Sequence, residues 1–257
     1  MTATRLLSAF LIVGSITGCA TQASDGPEGG GGGKADDGNE AGLHVRAIVT
    51  ELNEFSSIRW PEAVDEASDV DDVINAQLDF ETITGEKLED VKTRFDNGDM
   101  SGLASADFHV DGNVRNVLSL TIDLEWLAAY SSFYSEYKNF NSMTGEMVEI
   151  TDLLTADKLP ELAAELDAKL QARIAQIKAD NREAIASGEL DESMWAYLHV
   201  MPEHLASFST SPEGITFHWR AGFPHAYQAL EPNGEFVVSM VDLENYISAD
   251  GLWAEEY

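Results

Sequence analysis

Cysteine is almost absent from this chain: Cys19 stands alone among 257 residues. No intramolecular disulfide and no multi-thiolate metal site can be built from it. Positive charge is scarce too, with 15 lysines and arginines against 46 acidic side chains and a formal net charge of −31. Nucleic acid would repel such a chain and is excluded as a partner; anionic lipid headgroups would repel it as well, so charge cannot hold it to a membrane. What is present is core-forming material. Hydrophobic residues make up 44% and aromatics 9% of the sequence, too much for a disordered chain and enough for one large domain or two small ones.

Arg5 is the only charge in the first twenty-four residues, and a twelve-residue apolar stretch follows it, Leu6 to Thr17. A membrane-spanning helix needs about 20 residues, so this length suits the core of a signal peptide instead. The stretch ends in Ile16-Thr17-Gly18-Cys19, which resembles the lipobox of bacterial lipoproteins. The resemblance implies cleavage before Cys19, lipid attachment to its thiol, and a cell-envelope address anchored in a membrane. Two or more acyl chains make release from a bilayer negligible. Ala20, in place of an aspartate, favours the outer membrane over the inner one. A plain secretory signal that happens to contain a cysteine is the alternative. From Thr21 to Gly42 no periodic apolar residue occurs, and five consecutive glycines, Gly29 to Gly33, sit among acids. This is a flexible tether with a reach of about 25 Å. The glycine run follows no strand and opens no helix, so it is not a phosphate loop. The expected organisation is a signal peptide over 1–18, lipidated Cys19 with its tether over 19–42, and a folded domain over 43–257. Sub-halves at 43–113 and 114–257 are conceivable.

Periodicity begins at Leu43. Val45, Ala47 and Val49 alternate with His44, Arg46 and Ile48 and predict a strand. Ser68-Asp69 reads as the cap of a helix carrying Val70, Val73, Ile74 and Leu78, and Leu88, Val91 and Phe95 predict a second. Two strands, Ala106 to Val110 and Val114 to Trp126, are expected around an Asp111-Gly112-Asn113 turn. The segment Phe133 to Asn141 alternates aromatic and polar residues, and a short strand, Met147 to Ile150, should follow a turn at Met143-Thr144-Gly145. The clearest helix runs from Ala156 to Asp180, where Leu159, Leu162, Leu166, Leu170, Ile174 and Ile177 are spaced 3, 4, 4, 4 and 3. Short helical pieces are expected over Asn181 to Ala186 and Ser193 to Val200. Strands near Ala206 to Thr210, Ile215 to Trp219 and Phe236 to Met240, then a helical turn over Asp242 to Ile247, complete the domain. Strands and helices are segregated, which predicts an α+β fold: a largely antiparallel sheet packed with one long amphipathic helix and several short ones.

Several short runs carry a family likeness. Val117-Leu118-Ser119-Leu120, Tyr137-Lys138-Asn139-Phe140-Asn141, Thr144-Gly145-Glu146 and Ile150-Thr151-Asp152-Leu153-Leu154 occur in that order. They resemble the extracytoplasmic domain at the C-terminus of the anti-sigma factor RsiV, which also accompanies the PdaC type of peptidoglycan deacetylase outside its catalytic part. The likeness extends over most of Leu43 to Ser248. It includes the strand pair Phe208 to Trp219 and the final elements Phe236 to Ile247; Trp60-Pro61 and Ile74-Asn75 hint at the half that customarily precedes. It implies a domain without catalytic residues, which in RsiV binds lysozyme, a strongly basic protein. One departure is plain: where the family carries Gly-Ala-His, this chain reads Tyr130-Ser131-Ser132-Phe133.

Chemistry is harder to find. His199 and His204 are five apart with Pro202 between them, not the four-residue spacing of a zinc helix. His218 and His225 flank a loop, with Glu203 a conceivable third ligand, but satisfied or exposed histidines are the simpler reading. Asp69-Val70-Asp71-Asp72 and Asp96-Asn97-Gly98-Asp99 lack the ligand order of a calcium loop and read as solvated helix ends. No G-x-S-x-G elbow is present, and no metal or cofactor is expected. Glu125-Trp126 and Trp219 with Phe223 and Tyr227 form either core or a sugar-stacking surface, and core is preferred. Two function classes remain. One is a lipid-anchored binding or sensing module with no chemistry of its own, recognising a basic protein such as a lysozyme, or a cell-wall component, through exposed aromatics such as Tyr134 and Tyr227. The other is an envelope hydrolase acting on peptidoglycan or another glycan, whose carboxylates cannot be picked out among so many acids. The acidity also fits salt or solubility adaptation with no partner at all.

Overall fold

The computed structural model describes residues 43–254; the expected signal peptide, Cys19 and the expected tether lie outside the described residues. In chain order the elements are β1 (His44–Glu51), β2 (Ser57–Val64), α1 (Val70–Gln77), α2 (Phe80–Thr84), α3 (Leu88–Asp96), β3 (Gly102–Val114), β4 (Val117–Leu127), β5 (Ser131–Asn141), α4 (Ile150–Leu153), α5 (Leu159–Asp180), α6 (Arg182–Ser187), β6 (Phe208–Ser211), β7 (Gly214–His218), β8 (Glu235–Ser239) and α7 (Met240–Leu243). Short 3-10 turns punctuate the second half, at Ala156–Lys158, Glu192–Trp195, Pro202–Ala206 and His225–Leu230. Five strands form one sheet in the order β1-β2-β3-β4-β5, and β6-β7-β8 form a second, smaller one. Every pairing is antiparallel except β2 with β3, which touch in parallel register at Ile58 and Ala106. The fold is therefore α+β and antiparallel-dominated, with its strands divided between two sheets.

Strand β4 is the axis of this arrangement. From Val117 to Ile122 it is buried on both faces. Leu118, Leu120, Ile122 and Leu124 point one way, into a cluster with Ile58, Ile74, Val91 and Phe95 from β2, α1 and α3. Ser119 and Thr121 point the other way, under β6. A second apolar cluster joins the stripe of α5 (Leu162, Leu166, Leu170, Ile174) to Phe208, Phe217 and Phe236 of the small sheet and to Trp253. The stripe works because residues three and four apart share one side of a helix.

Several expected boundaries move. The β3–β4 hairpin turns at Arg115 and Asn116, not at Asp111-Gly112-Asn113; both turn residues have positive φ, 50° and 62°, and Val114 faces Val117 across them. A two-residue turn with both residues left-handed matches the strand twist. Gly112 serves another purpose, because a Cβ there would lie 2.6 Å from the Thr210 carbonyl oxygen of the crossing strand β6. Asp111 sits instead in a register shift between Val110 and Gly112. The expected strand Met147 to Ile150 shrinks to a single bridge, Met147 with Phe140, because helix α4 begins at Ile150. Only the first turn of Ser193 to Val200 is helical, and the last helix starts at Met240 and ends at Leu243. Strand β2 escaped the pattern because it carries Pro61, a residue with no N–H for a ladder. Its neighbour Trp60 is buried, donates to the Leu78 carbonyl at 2.6 Å and meets Phe80 edge-on at 4.8 Å.

Candidate binding face

The β6-side face of the large sheet changes character along its length. Opposed pairs on β4 and β5 run Ser119 with Asn139, Thr121 with Tyr137, Asp123 with Ser135 and Glu125 with Phe133. The first pair is sealed. Ser119 Oγ donates to Asn139 Oδ1 at 2.6 Å, Asn139 Nδ2 donates to the Phe208 carbonyl at 2.8 Å, and the Thr210 N–H donates to Ser119 Oγ at 3.0 Å. This triangle binds the two sheets through satisfied polar groups, the condition for burying them at all.

One step outward lies His218. Its ring stacks on Tyr137 with centroids 3.7 Å apart and planes 7° off parallel, and Nε2 lies 2.9 Å from Ser209 Oγ. Nδ1 is buried without a partner. Burial, then the neighbouring His109, pushes the imidazole pKa down to about 4, so the ring is neutral at pH 7. Burial likewise raises Tyr137. Asp111, re-aimed by the bulge, is raised by burial against the opposing hydrogen bond it accepts from Thr121 at 2.8 Å. It also lies 3.1 Å from His109 Nε2. Two openings of about 430 Å³ each meet here and share Ser135, Tyr137, His218, Trp219 and Arg220. Ser209 and His218 have the contact distance of a nucleophile and its base. Ser209, however, is buried within β6, and no carboxylate orients His218 through Nδ1. The pair closes a packing interface and assembles no triad.

Furthest out, the sheet ends in exposed aromatics. Tyr130, Phe133 and Tyr134 are 69%, 62% and 53% exposed. Phe133 and Tyr134, as neighbours in a strand, point to opposite faces, so neither layer covers this end of β5. Across from it Arg220 donates to the Phe133 carbonyl at 2.8 Å, and the His225 ring lies 5.3 Å from that of Tyr130. Phe223 and Pro224 complete a groove of about 550 Å³ whose wall includes Tyr134. Tyr227 is half-exposed on the following 3-10 turn and does not line this groove. The segment Tyr130-Ser131-Ser132-Phe133, which departs from the resembled family, is itself part of the wall.

The other sequence candidates are dispersed. His199 lies 3.2 Å from Asp167, whose carboxyl is held low, against its partial burial, by hydrogen bonds from the Val200 N–H, His199 and Gln171. His204 Nδ1 accepts from the Met201 N–H at 2.9 Å. Asp99 accepts from the Ser101 N–H at 2.9 Å, a turn role. Among the described residues no three or more His, Cys, Asp or Glu side chains converge as metal ligands. Trp219 is buried in the α5 cluster while Trp126 packs against the other one, so the two tryptophans form no common sugar platform. The sequence missed the groove as a unit because Arg220 and His225 come from a loop with no periodicity. Only the aromatic run of β5 and Phe223 signalled it.

No family model and no curated protein sequence matches this chain. Among solved structures it is similar to a DUF3298-family protein from Bacteroides fragilis, at 14% identity and a TM-score of 0.50, over 81% of this chain and 94% of the other. A DUF3298-family protein from Pseudomonas aeruginosa gives 10% identity and a TM-score of 0.48 over the same shares. The likeness to the Bacteroides protein is one of fold. No helix among the described residues is long and apolar enough to cross a membrane.

Proposed function

We propose that this protein is a lipid-anchored binding or sensing module of a bacterial cell envelope, of the RsiV C-terminal type, which recognises a basic protein such as a lysozyme and performs no catalysis of its own. The observation that carries the reading is the groove of exposed aromatics at the free end of β5 on a strongly acidic domain. Five of the 46 acids and two of the 15 bases precede Leu43, leaving a formal −28 on the remainder. A field of that sign speeds encounter with a cationic partner and weakens with salt over about 8–10 Å. Clustered aromatics then supply the desolvated contacts that charge cannot. The fold shared with a bacterial domain of unknown function supports the family resemblance. Cys19, processed and acylated, would supply the anchor, with the outer membrane favoured.

The test is calorimetry of the full chain with hen lysozyme and with an unrelated protein of equal positive charge, across a salt series. Retained, discriminating affinity for lysozyme at physiological salt is expected, reduced about tenfold by Phe133→Ser with Tyr134→Ser and little changed by Tyr197→Ser, another exposed aromatic. Equal affinities that vanish together would refute the reading. For the anchor, Cys19→Ala should abolish incorporation of labelled fatty acid, and a wild type that takes up no label would overturn it.

A further inference from the structure

A further cavity of about 830 Å³ belongs to neither the groove nor the surroundings of His218. It lies where α1, the loop after β5, α4 and the stretch Ser248 to Leu252 converge. Its walls are tied down: Gln77 Nε2 donates to the Gly145 carbonyl at 2.8 Å, and the Leu252 N–H donates to the Asp152 carbonyl at 2.9 Å. Gly145, at φ +76°, closes the turn against α1, where a Cβ would come within 2.8 Å of the Val70 carbonyl oxygen.

Two independent features describe what such a space accepts. Three carboxylates line it, Glu146, Asp152 and Asp250, and no lysine, arginine or histidine does. Its rim exposes apolar side chains, Met143 at 68% with Met147 and Val73 nearly half exposed. Acids alone would mark only solvated surface. Methionines held open beside them offer adaptable apolar contact, and a lysine or arginine presents that pair of demands, an aliphatic stem under a cationic head. We infer that this cleft docks an extended basic segment of the partner, its lysine or arginine stems on Met143 and Met147 and its charged heads on Glu146 and Asp250. The inference rests on the reading above that the domain binds a basic protein, and it adds a second contact remote from the aromatic groove. Asp152 is committed to structure, since it accepts from the Glu149 N–H at 2.7 Å to cap α4.

The experiment uses the full chain, a fluorescein-labelled octapeptide alternating lysine and leucine, and hen lysozyme. Glu146→Gln with Asp250→Asn should weaken peptide binding about tenfold at physiological salt. The same charge change outside the cleft, Glu183→Gln with Glu189→Gln, should weaken it less than twofold. Met143→Ser with Met147→Ser should cost at least threefold, by a factor that salt does not alter. Equal effects of the two charge pairs, no effect of the methionine pair, or no peptide binding by the wild type would each overturn the cleft. Lysozyme affinity that survives all cleft variants would overturn it too while leaving the proposed function standing. Loss of discriminating lysozyme binding by the wild type would refute that function instead.

Discussion

The two faces of β4 are both buried, yet they are held by opposite means. One presents Leu118, Leu120, Ile122 and Leu124 to an apolar cluster; the other presents Ser119 and Thr121 to a second sheet. The apolar face needs only shape, so its energy is spread over many weak contacts. The polar face depends on a few bonds that must all be made, and it fixes one geometry of β6 across the sheet. That face also leads outward, through His218, to the exposed aromatics. The rigid seam and the candidate site are therefore one continuous surface, and the apolar side is scaffold.

The largest effect should come from the apolar face. Leu120 is fully buried, and Leu120→Ala should lower unfolding free energy by about 3 kcal/mol, the transfer loss plus a cavity. Urea denaturation with an unchanged slope would measure it. A loss under about 1 kcal/mol would mean that this layer is loosely packed, and the contrast with the polar face would fail.

The seam should answer differently. Asn139→Leu keeps the branched shape but strips the donor to the Phe208 carbonyl and the acceptor for Ser119. The cost should be about 2 kcal/mol, since buried partners are left unsatisfied. Replacing Ser119 and Asn139 together by alanine and leucine should cost less than the two single losses combined, because they share one network. Strict additivity in that double-mutant cycle would show that the triangle is three separate bonds.

The same contrast explains what was legible beforehand. The stripe of α5 announces itself through its spacing, and the even positions of β4 through alternation. Ser119, Thr121 and Asn139 look like the solvated half of that alternation, and nothing local says that a sheet ninety residues downstream will cover them. Gly112 misled for the same reason: it reads as a turn residue, but its missing side chain makes room for Thr210. At the candidate site, Tyr134 could be named from the aromatic run of β5. Arg220, His225 and the Tyr137–His218 stack arise from pairings between distant strands and a loop, and sequence spacing carries no trace of them.

The smallest expected effect tests whether the polar face is sensitive to pH. His218 is neutral in the fold, with its pKa lowered from 6.5 to about 4, chiefly by burial. Between those values the unfolded chain binds a proton that the folded chain refuses. Stability should therefore fall as pH drops through 6.5 and should have lost this contribution fully below about 4. Because the ring keeps some access to solvent through the two openings, the loss should be on the order of 1–2 kcal/mol, less than the full shift implies. His218→Gln removes the titration, so its stability should decline less than the wild type's over that window. Asp111, whose raised pKa acts with the opposite sign, and the carboxyls held low by hydrogen bonds, such as Asp79, are common to both proteins and cancel in the difference. Parallel stability curves for the two proteins from pH 7 to pH 4 would show that the ring finds a proton acceptor in the fold after all. The His218 position would then be an open part of the binding face, and no longer an extension of the dry seam.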